Sequence, residues 1–172
     1  MDDVLHPNLI EEIEKLGNLI NTIQVAMMTT VDEKGRMHSR PMITQQVKFD
    51  GELCFLTSAG SHKVSELNWN RQVHLNYADI EKNRFVSLSG MGQAIRDIDR
   101  INQLWAPIYR AWFPKGPSDP NILLVSVKVD QAEYWESSST IASQVIGFSK
   151  AVFAGKLKPG ERTEHKKIDL AG

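Results

Sequence analysis

Residues 71–78 read RQVHLNYA, and their alternation decides the fold class. Val73, Leu75 and Tyr77 fall on one side and Gln72, His74 and Asn76 on the other, the period of two that marks a half-buried β-strand. Upstream, IQVAMMTT (23–30) alternates through Ile23, Val25 and Met27 and stops at the turn Asp32-Glu33-Lys34-Gly35. Residues 36–47 read as extended, and the Asp50-Gly51 turn leads into GELCFLTS (51–58). Downstream, a turn over residues 79–83 feeds a strand at 85–95, in which Gly90 and Gly92 predict a bulge or sharp bend. Residues 121–135 form the last long strand. Strand, glycine turn and strand, repeated, read as a meander of antiparallel hairpins.

Helical spacing appears at the margins. Leu9, Ile13, Leu16 and Ile20 oppose Glu11, Glu12, Glu14 and Lys15 and predict a helix over 6–21. Ser61 is a good N-cap for a short helix over 62–68, with Val64 and Leu67 on one face. Residues 97–112 read as a helix anchored by Ile98, Ile101, Leu104 and Trp105, and 139–153 as a final one. A loop with three prolines spans Pro114 to Pro120, and the tail from Gly155 is polar and weakly patterned, suited to a mobile arm or to covering a partner. The expectation is a mainly β (α+β) chain, six strands forming a barrel or sandwich with peripheral helices. One domain spans 1–172: an N-terminal helix (1–22), the barrel (23–136), a C-terminal helix (139–153) and a polar tail (155–172).

The 172 residues suffice to bury a core without staples. Twenty basic against 21 acidic residues argue against a nucleic-acid or anionic-membrane binder. No apolar run approaches a membrane span and the acidic start is no signal peptide, so a cytoplasmic protein is expected. The single cysteine, Cys54, lies in an apolar run and reads as buried and structural. The histidines at 6, 38, 62, 74 and 165 show no pair at metal-ligand spacing, so no metal site is expected. Gly90-Met91-Gly92 lacks the strand-to-helix setting of a dinucleotide fingerprint, and Ser87, Ser89 and Ser137–Ser139 lack a nucleophile elbow.

Three segments carry chemistry. In Thr57-Ser58-Ala59-Gly60-Ser61-His62-Lys63 a strand ends, hydroxyl residues follow, and a helix opens with a lysine in its first turn. Unpaired amides at a helix start favour an anion, and the hydroxyls and Lys63 reinforce this. A pocket for a phosphate monoester and an ordinary capped turn with a solvated lysine both fit the residues. In His38-Ser39-Arg40-Pro41-Met42, proline within an extended run implies an edge or bulge, freeing backbone for a ligand. Arg40 could clamp a phosphate with its planar fork, or sit on the surface beside a kink. The third is aromatic: Trp105, Tyr109, Trp112 and Phe113 suit core or interface packing, whereas Trp135 suits either the core or stacking on a planar ligand.

In order, HSRPM, CFLTSAGSHKVSEL, VSLSGMGQAI and AWFPKGPSDPNILLVSVKVDQAEYW resemble the pyridoxamine 5'-phosphate oxidase-like split barrels that bind flavin mononucleotide (FMN), and within them the general stress protein branch. The resemblance covers roughly residues 8–155 and implies a six-stranded antiparallel split β-barrel of Greek-key type. It also implies a homodimer with two FMN molecules between subunits; FAD or a deazaflavin are the alternatives. Arg40 and Lys63 would hold the phosphate with Thr57, Ser58 and Ser61. The backbone at Pro41 and Met42 would lie along the ring, and Trp135 would approach it, from the other subunit if not its own.

The implied activity is electron transfer between a donor such as a reduced nicotinamide and an unidentified acceptor; the alternative is a flavin carrier without turnover. No catalytic acid or base stands out. Oxidases that make pyridoxal phosphate carry an arginine-rich C-terminal segment, whereas GKLKPGERTEHKKIDLAG holds only Arg162, so a true pyridoxamine 5'-phosphate oxidase is the third and least favoured reading.

Overall fold

The computed structural model describes residues 7–45, 48–136 and 164–170. Helix α1 (Pro7–Asn21) precedes the hairpin β1 (Val25–Val31) and β2 (Met37–Ile43), then β3 (Glu52–Ser58), α2 (His62–Trp69), β4 (Gln72–Asp79) and β5 (Arg84–Ile95). Helix α3 (Ile98–Leu104), a 3-10 turn (Pro107–Ala111), β6 (Ile122–Glu136) and β7 (Glu164–Asp169) complete it. The strands form one antiparallel sheet in the order β2-β1-β4-β5-β6-β3, with β7 added to β6. The sheet curls so that its two ends, β2 and β3, come close without a ladder between them: a split barrel. Among the described residues no helix is long and apolar enough to cross a membrane.

The alternation read in 71–78 is the burial pattern of β4, with Val73, Leu75 and Tyr77 in the barrel core beside Met28, Phe55, Leu88 and Val127. Each large side chain buried there contributes about 1.5–3 kcal/mol. The bulge falls at Ser89/Gly90, where Gly90 faces Val129 and Asp130 of β6 is skipped. A Cβ on Gly90 would stand 2.0 Å from the Lys128 carbonyl oxygen, so only glycine fits. Turn geometry agrees with sequence too: Gly35 and Gly51 have φ of 76° and 101°, the left-handed region glycine enters freely.

Four expectations need correction or qualification. The Asp50-Gly51 turn does not close a β2–β3 hairpin; β3 crosses to the far edge and pairs with β6, from Glu52↔Lys128 to Ser58↔Ile122. The reason lies in its residues: Leu53 and Phe55 enter the barrel core, while Cys54 and Leu56 join a second core with Ile101, Tyr109 and Phe113. A strand apolar on both faces needs cover on both.

The helix expected over 97–112 is two pieces, because Pro107 has no N–H and holds Ala106 extended (φ −128°, ψ 151°). Ile98 is exposed there, while Ile101 is fully buried. The polar tail contains a seventh strand, β7, on residues 131–136 of β6. Ile168 is its one buried apolar residue, so the ladder holds it and no alternation betrays it. The helix expected over 139–153 lies outside the described residues.

Candidate functional site

The two facing sheet edges carry Arg40, Pro41, Met42, Thr57 and Ser58, while Ser61 and Lys63 belong to the start of α2 and Trp135 to β6. On β2, His38, Arg40 and Met42 share the inner face, and Met37, Ser39 and Pro41 point outward. Pro41 pairs only with Met27 of β1, so it sits on an edge strand, where its missing N–H costs nothing. On β3, Thr57 is buried and the next residue, Ser58, is exposed on the opposite face. Helix α2 then caps the barrel, with Leu67 in the core.

This places Thr57, Ser61 and Lys63 together. The Lys63 Nζ donates to Thr57 Oγ1 at 2.9 Å, and Thr57 Oγ1 lies 3.1 Å from Ser61 Oγ. Ser61 occupies the N-cap position but makes no side-chain cap bond, because its hydroxyl is turned to Thr57. Val64 N donates to the Ser61 carbonyl at 3.0 Å, which leaves the His62 and Lys63 amides to an external acceptor. Burial, and then the neighbouring Arg40 charge, push the Lys63 ammonium below its ordinary pKa, with Glu66 pulling the other way. An anion arriving there relieves both.

Arg40 stands close by but is already engaged. Its Nη2 donates to Glu66 Oε2 at 2.7 Å, and its Nη1 donates to Thr30 Oγ1, which in turn donates to Glu66. Two of the five guanidinium hydrogens are used, leaving three for a ligand. Burial works to raise the Glu66 carboxyl, but hydrogen bonds from Thr30 and Arg40 outweigh it and hold the pKa below the usual value.

Sequence reasoning missed Thr30 and Glu66. Glu66 reads as a helix-surface partner of Lys63, three residues earlier; the available signal was Thr30, a polar residue at the inward parity of Ala26 and Met28.

Ser58, Met42 and Trp135 are not gathered here through their side chains. Ser58 contributes its carbonyl, which accepts from Ser61 N at 3.0 Å. The Met42 side chain is in the core. Trp135 lies at the opposite end of β6 from the β3 terminus and stacks on His165 at 5.0 Å and 3°. Of the other aromatics, Trp105 packs on Tyr109 and Phe113, and Trp112 is exposed.

Beside Arg40 a groove of about 680 Å³ runs between α2 and the β1–β2 turn. At its far end the Asp32 carboxylate accepts from Lys34 N and Arg36 N, both at 2.9 Å, and lies 3.0 Å from His38 Nε2. These bonds, that with His38 first, hold Asp32 well below the usual carboxylate range.

The profile of the family described as "Pyridoxamine 5'-phosphate oxidase like" matches residues 11–158. The chain belongs to this family. A curated relative at the sequence level is protein bli-3 of Neurospora crassa, 27% identical over 158 residues, which cover 86% of this chain and 76% of that protein. The general stress FMN/FAD binding protein of Xanthomonas citri is 28% identical with a TM-score of 0.65, covering 77% of this chain and 93% of that one. The fold is shared more widely. A Jannaschia protein described as a general stress protein 26 superposes with a TM-score of 0.73 at 17% identity, over 94% of this chain and 99% of its own.

Proposed function

We propose that this member of the oxidase-like family is a flavoprotein that binds FMN at the split of the barrel, as a homodimer, and passes electrons between a reduced nicotinamide or similar donor and an acceptor. The observation that carries the reading is the Lys63–Thr57–Ser61 cluster: a half-buried ammonium with lowered pKa, two hydroxyls and an uncapped helix start, with Arg40 beside them.

These groups fit a phosphate dianion, each charge-assisted hydrogen bond contributing roughly 1.5–3 kcal/mol. Lys63, Arg40, Thr57 and Ser61 would hold the phosphate. Ser58 faces away and would help only through the turn it shapes. The edge backbone at Pro41 and Met42 would run along the ring, and the bound flavin would supply the redox chemistry.

The dimer reading draws on the outward face of β1–β2. Val25 and Met27 are exposed at 45% and 42%, next to the outward Pro41, and a second copy seated there would cover them. Trp135, distant from Lys63 within one chain, would then reach a ring only as a partner's residue.

The test is a titration of purified protein with FMN, followed by anaerobic addition of NADH or NADPH and light scattering. Saturable binding, bleaching of the flavin colour and a dimeric mass are expected. Binding without bleaching by either nucleotide leaves a carrier, and no saturable binding ends the flavin reading.

A further inference from the structure

Strand β7 lies along β6 with little apolar anchorage. Ile168 is buried, but His165, Lys166, Lys167 and Asp169 are exposed. The ladder from Gln131↔Asp169 to Glu136↔Glu164 supplies its backbone bonds, and a terminal edge strand held by little else opens locally. Side chains pin its first half. The His165 imidazole lies flat on the Trp135 indole, with centroids 5.0 Å apart and planes within 3° of parallel. Its Nε2 is also 3.4 Å from Oε2 of Glu133, two residues before Trp135 on the same face of β6.

One imidazole thus stands against an indole face and a carboxylate, and both favour a cation. A neutral ring keeps the stacking; a protonated one adds the charge terms. The surrounding charges do not cancel this. Glu133 Oε1 is 3.4 Å from Lys167 Nζ, so each carboxylate oxygen faces one cation. Lys167 opposes a charge on His165 from about 7 Å along the strand, farther than the carboxylate attracts it. Lys166 is engaged by Glu12 of α1 at 2.6 Å, and Glu136 by Arg84 of β5 and Lys15 of α1 at 2.7 and 3.8 Å. Asp169 lies at the far end of β7, opposite Gln131.

We propose that β7 is a pH-sensitive strap, clamped over Trp135 when His165 is protonated and loosened when it is neutral. Histidine is the side chain whose ordinary charge change falls between about pH 5 and 8. The docked strand binds the proton more tightly than the released one, so acid favours docking and rising pH favours release. Release bares the indole face that His165 covers, together with the β6 edge over residues 131–136. The strap therefore governs access to Trp135, whether or not a flavin binds elsewhere on the barrel.

Hydrogen exchange of the full chain, followed by mass spectrometry on peptides from β7, tests it at about pH 5.5 and about pH 8, towards the two ends of histidine's ordinary range. Rates are read as protection factors, so that the intrinsic pH dependence of exchange cancels, with β4 as the internal reference. The wild-type strap is expected to be about fivefold more protected at the lower pH, the size of an exposed cation–π contact with a surface ion pair. His165→Phe and His165→Gln, which take no proton, should each show equal protection at both, and Glu133→Gln should shrink the difference. Equal protection of the wild type at the two pH values, or a difference that survives in both His165 variants, overturns the proposal. So does a strap without protection at either pH.

Discussion

The guanidinium of Arg40 and the carboxylate of Glu66, 26 residues apart in the chain, meet at 2.7 Å and tie the edge strand β2 to the helix α2. Thr30 of β1 closes the triangle. Removing one member of such a pair leaves the other charge uncompensated under the helix. Glu66→Ala should therefore destabilise the fold by about 2–4 kcal/mol in urea unfolding, whereas the double variant Arg40→Met/Glu66→Met should recover most of the loss. Equal stability of Glu66→Ala and wild type would show the pair to be ornamental.

The same carboxylate gives a pH dependence with a definite sign. Because the folded pKa of Glu66 is depressed, its contribution is complete above the ordinary glutamate value of 4.5 and fades as pH falls through the folded value. Stability of the wild type should drop on acidification below about 4.5, and Glu66→Gln should flatten that part of the curve. A Glu66→Gln profile parallel to wild type contradicts the assignment.

Lys63 is also shifted downward, which for a cation carries the opposite consequence. Its folded pKa lies below 10.5, so stability rises with pH between the folded and unfolded values, while at neutral pH the protonated ammonium bears the desolvation cost. The proposed phosphate contact needs that proton. FMN affinity should thus weaken with rising pH before the ordinary lysine range is reached, and Lys63→Arg should extend tight binding to higher pH. Riboflavin, lacking the phosphate, should show no such trend.

Gly90 is fixed by backbone, not by a soft side chain. Its missing Cβ would lie 2.0 Å from the Lys128 oxygen and 2.9 Å from Val129 Cα. Gly90→Ala should cost about 2 kcal/mol or more by thermal or urea unfolding, since the bulge must open to admit it. A smaller loss than for Gly60→Ala, where nothing lies within 4 Å, would refute the register.

Cys54 tests the second core. Burial pushes its thiol up to about 11, against the pull of Arg100, whose Nη2 lies 2.8 Å from the sulfur. At neutral pH a disulfide reagent should label Cys54 only on unfolding, at a rate that tracks global opening. Rapid labelling of the native protein would contradict its placement.

Part of this architecture was legible in the sequence where one face of a strand declares itself, as in β4; in β1 the period was right but the face was not, since Val25 and Met27 of the apolar alternation are exposed and Ala26, Met28 and Thr30 are buried. Val73, Leu75 and Tyr77 announced β4, Gly90 announced the bulge, and Pro41 announced an edge. Legibility failed where the signal is not local. Nothing in GELCFLTS says that β3 joins β6 and not β2; only its two apolar faces hint that it must be covered twice. In 164–169 a single inward residue, Ile168, gives no alternation to read. At the site, the hydroxyls and Lys63 could be found because they lie within seven residues. The Arg40–Glu66 pair could not, because it joins two separate elements. It also changes how the site should be probed. Arg40→Ala would strand Glu66 as well as remove a proposed phosphate ligand, so Lys63→Ala is the cleaner variant.

That variant gives the most direct test of the central claim, a phosphate dianion held by Lys63, Thr57 and Ser61. Dissociation constants for FMN and riboflavin should be measured by equilibrium dialysis on wild type and Lys63→Ala. Two or more charge-assisted bonds of roughly 1.5–3 kcal/mol each predict FMN binding on the order of 100-fold or more tighter than riboflavin, with Lys63→Ala losing at least about tenfold for FMN and nothing for riboflavin. Equal affinity of the wild type for the two ligands, or an unchanged FMN constant in Lys63→Ala, would contradict it.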